Sequence, residues 1–267
     1  MRLKDKVILI TASTRGIGLA CAEACAAEGG AVFLAARDLS RGRAEAERLR
    51  ARGYRADCVY NDATQPESYR AMVADTVRRA GRIDVLVNNF GTSDPAKDRD
   101  FLRTAPEDFL RTVEINLRSV YMGAQAAAET MARQGGGSII NISSVGGAVP
   151  DISQIGYGVS KAAINYLTKL IALHGASRGI RCNAVLPGMT ATDAVSTRLS
   201  ADFRERFLRH IPLGRMGLPE EIAAAVVHFA GDESAYTTGQ CLSVSGGFGL
   251  GTPLYADMLG AEQSGKG

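Results

Sequence analysis

The stretch whose reading decides the fold is Val7-Ile8-Leu9-Ile10-Thr11-Ala12-Ser13-Thr14-Arg15-Gly16-Ile17-Gly18. Five strand-favouring residues in a row leave no polar face, the pattern of a strand buried on both sides. The run breaks into small and hydroxylated residues, and an alanine-rich helical pattern over residues 16–28 follows at once. Strand, glycine pair and helix start in that order open a βαβ unit. Gly16 and Gly18 allow the backbone close to a pyrophosphate, and the helix N-terminus adds partial positive charge. The first glycine of the usual fingerprint is Ala12 here, so the turn must take a conformation that a Cβ tolerates.

Working outward, strand patterns recur at residues 32–36, 58–60, 83–88, 138–142, 181–186 and 240–244. Helical patterns alternate with them at 40–52, 66–80, 106–133, 157–177 and 219–230. Such alternation predicts the α/β class. Because crossovers are right-handed, it predicts one Rossmann-type doubly wound parallel sheet with helices on both faces. No linker or repeat divides residues 1–267, so a single domain is expected. Residues 92–104 and 190–210 resist the alternation, and both follow the carboxyl end of a strand, where ligands bind in such sheets. In 190–210, Phe203, Phe207 and Leu208 recur at helical spacing. That segment reads either as a substrate lid, apolar inside and basic outside, or as a surface helix packed on the sheet. The Gly-rich tail from residue 246 reads as irregular, flexible over about 256–267.

Composition excludes several classes of function. The 31 basic and 28 acidic residues are interspersed, so nucleic acid is not an expected partner. Cys21, Cys25, Cys58, Cys182 and Cys241 are odd in number and form no Cys-x-x-Cys pair, and the three histidines are scattered. No disulfide framework or metal site is expected. The apolar run at the N-terminus is too short for a signal peptide, and no stretch reaches the length of a membrane span, so a cytoplasmic protein is expected.

The chemistry lies further along. Ser143 and Ser144 close the fifth strand pattern, and Tyr157 and Lys161 stand four residues apart in the helical pattern after it. A pair at that spacing shares one helix face. For acid/base work near neutrality a tyrosine must drop by roughly three pKa units, about 4 kcal/mol. A lysine ammonium about 4 Å away at an effective dielectric of about 20 supplies that amount. For a nucleotide partner, Arg15 in the phosphate loop and Arg37 after the second strand could clamp a 2′-phosphate, which favours NADP(H) over NAD(H). A different register would instead place Asp38 on the ribose, the mark of NAD.

With these residues in view, the chain resembles short-chain dehydrogenases/reductases over essentially its whole length. The matching features are residues 11–18, Asn88-Asn89-Phe90-Gly91, Asn116, Ser144, Tyr157, Lys161 and Pro187-Gly188. Phe90 stands where the family has alanine, so a larger group is expected beside the nicotinamide end of the cleft. The resemblance implies that Tyr157 exchanges a proton with the substrate oxygen and that Ser144, rather than Ser143, hydrogen-bonds to it. It implies that Lys161 lowers the Tyr157 pKa and holds the nicotinamide ribose, and that Asn116 anchors a water leading to solvent. Ser13, Thr14, Arg15, Gly16, Ile17, Gly18 and Gly91 are implied along the cofactor, with Asp62, Ala63 and Asn89 near its adenosine half. Pro187, Gly188, Thr190 and Thr192 are implied at the carboxamide and diphosphate. A homotetramer built through residues 106–133 and 157–177 is implied as well.

Residues 149–153, 180–188 and 246–253 are similar to bacterial bile-acid hydroxysteroid dehydrogenases, most of all the NADP-dependent 7α type. The resemblance implies a steroid alcohol or ketone as substrate. The alternatives are 12α specificity, a 3-oxoacyl-carrier-protein or generic carbonyl reductase, and a non-catalytic NADP(H)-binding sensor.

Overall fold

Strand β1 (Val7–Thr11) is buried along its whole length because its two faces serve two separate cores. Ile8 and Ile10 enter one apolar cluster, Val7 and Leu9 the other. The computed structural model describes residues 1–152, 154–197, 200–252 and 254–263. In it β1 lies inside a seven-stranded sheet with β2 (Ala31–Ala36), β3 (Arg55–Tyr60), β4 (Val85–Asn88), β5 (Gly137–Ile142), β6 (Ile180–Pro187) and β7 (Cys241–Val244), in the order β3-β2-β1-β4-β5-β6-β7. Every pairing is parallel.

Helices α1 (Gly16–Ala27), α2 (Leu39–Ala51) and α8 (Pro219–Ala230) pack on one face. Helices α3 (Glu67–Ala80), α4 (Pro106–Arg133) and α5 (Ile155–Gly175) pack on the other. The doubly wound expectation is met. Consecutive strands run outward from β1 to β3, and the chain then crosses back to place β4 on the other side of β1. The carboxyl ends of β1 and β4 therefore diverge into a crevice, the place where such sheets bind ligands.

Several expectations shift. Strand β3 begins at Arg55, three residues before the expected start, because pairing with β2 carries the ladder out through Arg55 and Asp57, which lack a strand-like pattern. Residues 92–104 form turns, as expected. Residues 190–210 hold two short helices, α6 (Asp193–Ser196) and α7 (Ala201–Leu208), with residues 198–199 outside the described ones. The tail is not irregular throughout. It forms α9 (Tyr255–Gln263), whose residues include no proline and no β-branched side chain. Residues 264–267, the end of the expected flexible tail, and Ser153 and Pro253 lie outside the described residues. Among the described residues, no helix is long and apolar enough to cross a membrane.

The turn after β1 keeps the shape a glycine would give it. Ala12 sits at φ 51°, in the small left-handed region. A Cβ is tolerated there at a cost of roughly 1–2 kcal/mol. Ala12→Gly is expected to stabilise the protein by about 0.5–1 kcal/mol once the greater freedom of glycine in the unfolded chain is subtracted. A rise in the urea midpoint without a change in slope checks this, and an unchanged or lower midpoint removes the strain argument.

Candidate active site

Thr11 holds the two sides of the crevice together. Its Oγ1 accepts the backbone N–H groups of Asn89 (2.9 Å) and Phe90 (3.1 Å), just past the end of β4. The Asn89 side-chain amide donates back to the carbonyls of Thr11 (3.2 Å) and Ala12 (3.1 Å), so it braces the loop leading into α1. Helix α1 then begins close against this brace. A Cβ on Gly18 would come within 2.5 Å of both the Ala12 carbonyl and Asn89 Nδ2, so only glycine fits. The N-cap of α1, Arg15, makes no side-chain capping bond. The first amides of α1 are thus left to an anion, and the cradle fits a dinucleotide diphosphate.

Below this loop a cavity of about 810 Å³ opens over the carboxyl ends of β4, β5 and β6. It gathers Ser144, Tyr157 and Lys161 with Ile17, Asn89 and Gly91. Pro187, Gly188, Thr190 and Thr192 form its wall after β6. Apart from Asn116, the remaining predicted residues lie outside this cavity, along the ends of β1 to β3. Ser13 is buried and donates to the Ile10 carbonyl at 2.9 Å, while Thr14, Arg15 and Gly16 lead into α1. Arg37 is exposed after β2 and close enough to Asp62 to help hold that carboxyl below its usual range, although the Thr64 backbone N–H is the larger cause. Asp62 and Ala63 are buried beyond β3. Asp38 turns its carboxylate onto the Arg41 amide at 3.1 Å and caps α2.

The two candidate serines separate cleanly. Ser143 is buried and its hydroxyl donates to the Lys161 carbonyl at 3.1 Å. Ser144 lines the cavity, where its Oγ accepts the Gly146 backbone N–H at 3.1 Å and stands near the Tyr157 phenol. Lys161 is 2% exposed, and its Nζ donates to the Ile142 carbonyl at 2.9 Å. The same Nζ lies 5.5 Å from the centre of the Tyr157 ring. Gly91 makes room for it, since a Cβ there would meet Nζ at 2.9 Å.

Two expectations are corrected here. In the protein alone Tyr157 is not depressed: burial pushes its phenol up, and the nearby Ser144 hydroxyl pulls it only partly back. Lys161 Nζ donates to the Ile142 carbonyl while lying 5.5 Å from the centre of the Tyr157 ring. Phe90 is not among the residues lining the cleft, because Asn89 forms the wall at that point.

Asn116 lies behind the cavity, fully buried. Its Oδ1 accepts from Thr92 N (2.9 Å), and its Nδ2 donates to Thr92 O (2.9 Å) and Ser160 Oγ (3.0 Å). It therefore ties the loop after β4 to α5. The substrate end of the cavity also holds Pro95, Val149, Met189 and Phe248, which lie in segments the sequence singles out without giving each residue a role. Phe248 stacks on Phe207 of α7, ring centres 5.0 Å apart. The Gly246-Gly247-Phe248-Gly249 run was the available signal, a lone aromatic among glycines at the carboxyl end of the last strand.

Comparison with known proteins agrees with this geometry. A family model described as enoyl-(acyl carrier protein) reductase matches residues 11–249. A 7α-hydroxysteroid dehydrogenase of Clostridium sardiniense is 47% identical over 96% of this chain and 98% of its own. A 3-oxoacyl-[acyl-carrier-protein] reductase of Thermotoga maritima is 38% identical over 92% of this chain and 99% of its own. Among solved structures, a short-chain type dehydrogenase/reductase from Mycobacterium marinum superposes with a TM-score of 0.87 at 36% identity, covering 93% of this chain and 97% of that one. A 7α-hydroxysteroid dehydrogenase complexed with NADH and 7-oxo glycochenodeoxycholic acid superposes with a TM-score of 0.88 at 30% identity, covering 92% and 95%.

The buried lysine carries a pH signature. Burial holds its ammonium down at about 8, against an ordinary 10.5. The unfolded chain therefore keeps this proton to higher pH than the folded one. Unfolding takes up a proton between about pH 8 and 10.5, and Lys161 makes the fold more stable as pH rises through that window. The unfolding free energy of the wild type, measured against that of Lys161→Met, is expected to rise by about 3 kcal/mol across it. A difference that stays flat with pH removes the depressed lysine.

Proposed function

The chain belongs to the short-chain dehydrogenase/reductase family, and from that premise we propose that it is an NADP-dependent bile-acid hydroxysteroid dehydrogenase acting at the 7α position. One observation carries the reading. A 7α-hydroxysteroid dehydrogenase matches nearly every residue of the chain at 47% identity, and the cavity keeps the Ser-Tyr-Lys set that alcohol–ketone exchange requires. The cavity walls suit a rigid apolar ring system, lined as they are by Phe203, Phe207, Phe248, Val145 and Val149.

A bound nicotinamide supplies the hydride acceptor for the alcohol carbon and, when oxidised, a second positive charge. The chain's own residues handle the proton. Ser144 donates a hydrogen bond to the substrate oxygen, and the Tyr157 phenolate takes its proton. The Lys161 ammonium, its Nζ 5.5 Å from the centre of the Tyr157 ring, favours the phenolate. Burial works against it and pushes the phenol up. The positive charge of an oxidised nicotinamide would join that of Lys161 in favouring the phenolate. Asn116 Oδ1 keeps one lone pair for the water that would link Lys161 to solvent.

The preference for NADP rests on Arg15 and Arg37, both exposed at the ends of β1 and β2, and on Asp38, which is occupied in capping α2. Helices α4 and α5 leave Leu110, Tyr121, Tyr166 and Leu173 exposed, which favours assembly through these two helices into a homotetramer. The 38% identical acyl-carrier reductase keeps that activity as the second reading.

A panel of purified enzyme with NADP⁺ or NAD⁺ against cholic, chenodeoxycholic and deoxycholic acids tests the assignment. Oxidation of cholic and chenodeoxycholic acids but not deoxycholic acid is expected. Turnover of deoxycholic but not chenodeoxycholic acid means the 12α position, and inactivity on all three sinks the steroid reading. Tyr157→Phe is expected to lose nearly all turnover yet still bind NADPH, whereas a sensor would keep its function. Arg15→Ala and Arg37→Ala are each expected to weaken NADP⁺ binding about 10- to 100-fold and leave NAD⁺ binding nearly unchanged, from the loss of charge-assisted bonds of about 1.5–3 kcal/mol. Equal losses for both nucleotides would remove the proposed clamp.

A further inference from the structure

Helix α5 carries Tyr157 in its first turn, and its own sequence does not cap that turn. The N-cap residue, Gln154, sits in the left-handed region at φ 57° and makes no side-chain capping bond. Three successive amides at this end are nonetheless satisfied, all by the loop after β4, more than fifty residues upstream. Ile155 N donates to the Arg99 carbonyl at 2.9 Å. Gly156 N donates to Asp98 Oδ1 at 2.7 Å, and Tyr157 N donates to Asp98 Oδ2 at 2.9 Å. The carboxylate also accepts from Ser93 Oγ at 3.3 Å.

Asp98 is 1% exposed, an uncommon place for a carboxylate unless both oxygens are bonded. Its charge faces the positive end of α5. Gly156 permits the approach, since a Cβ there would meet Thr112, Asp98 and the Phe109 carbonyl at 3.1–3.2 Å. The same loop reaches the cavity through Gly91 and Pro95 and is held from behind by Asn116 through Thr92. One carboxylate thus joins the backbone nitrogen of the catalytic tyrosine to a loop that lines the cleft.

We propose that Asp98 is a positioning residue for Tyr157: by capping α5 from the β4–α4 loop it fixes the phenol at reacting distance from Ser144 and from the substrate oxygen. The proposal rests on the reading of Tyr157 as the proton-transferring group. A displacement of about 1 Å at a reacting group costs up to about 100-fold in rate. Asp98→Ala leaves two first-turn amides without acceptors. Asp98→Asn can accept one of them but turns an NH₂ group toward the other.

The test measures Asp98→Ala, Asp98→Asn and Tyr157→Phe together, each well below its melting temperature. Turnover of chenodeoxycholic acid with NADP⁺ and NADPH binding are followed. Spectra of protein labelled with ¹³Cζ-tyrosine are recorded alongside, the Tyr157 signal being assigned by its loss in Tyr157→Phe. For Asp98→Ala, kcat is expected to fall about 10- to 100-fold while NADPH affinity changes less than about twofold, with Asp98→Asn in between. The Tyr157 signal is expected to move while those of the other tyrosines stay in place. An unmoved Tyr157 signal, undiminished kcat, or parallel loss of kcat and NADPH affinity with all tyrosine signals disturbed overturns the proposal. A fully active Tyr157→Phe overturns the reading of Tyr157 and the role of Asp98 with it. An inactive Tyr157→Phe beside a normal Asp98→Ala removes Asp98 alone. If the wild type does not oxidise chenodeoxycholic acid, the steroid reading fails, and the Tyr157 signal still decides whether Asp98 places the ring.

Discussion

The rest of the site depends on keeping a lysine ammonium out of water. An isolated charge at 2% exposure is costly, and Lys161 is held there by the Ile142 carbonyl at the end of β5. Its surroundings are arranged for that purpose. Gly91 has no Cβ because the amine occupies that space. Ser143 gives its hydroxyl to the Lys161 carbonyl, and this leaves Ser144 alone to face the cleft. The same burial that makes the charge strong also drives the Tyr157 phenol the wrong way for a base. Burial thus disfavours the charged form of both groups in the protein alone.

The second organising feature is the crevice between β1 and β4. Thr11 and Asn89 cross it with four hydrogen bonds, so the phosphate loop and the loop after β4 behave as one body. From there the chain reaches back through Thr92 to Asn116 and through Asp98 to α5. A cofactor cradle, a substrate wall and a catalytic helix start are linked through short polar contacts instead of through a shared apolar core. Such contacts hold geometry tightly, because each buried donor left without its acceptor costs roughly 1–3 kcal/mol. The substrate end is built differently, from Phe203, Phe207, Phe248 and aliphatic side chains. Aromatic stacking joins α7 to the turn after β7.

How much of this was legible in the sequence follows from the range of each interaction. The strand VILIT, the glycine pair and the alternation of patterns announced the sheet, since burial on both faces and turn chemistry are written locally. Tyr157 and Lys161 were legible as a pair because a helix puts residues four apart on one face, and Ser144 because it ends a strand. Their pKa balance was not legible. It depends on Lys161 choosing the Ile142 carbonyl and on a burial that no spacing encodes. Phe90 misled for a related reason: its place in the motif was known, but Asn89 forms the wall there.

The sequence by itself determined which residues could do chemistry, which class of sheet would carry them, and that the phosphate loop would open the first helix. Periodicity and turn propensity act over a few residues, so these were open to reading. Only the tertiary structure decided what surrounds those residues. It made Ser143 a brace and Ser144 a cleft residue, set an Asp38 oxygen on the first turn of α2, and brought Asp98 to cap a helix 57 residues further on. A buried carboxylate finds its amides through the packing of α4 against α5, and no local pattern records a partner met only when the chain has folded.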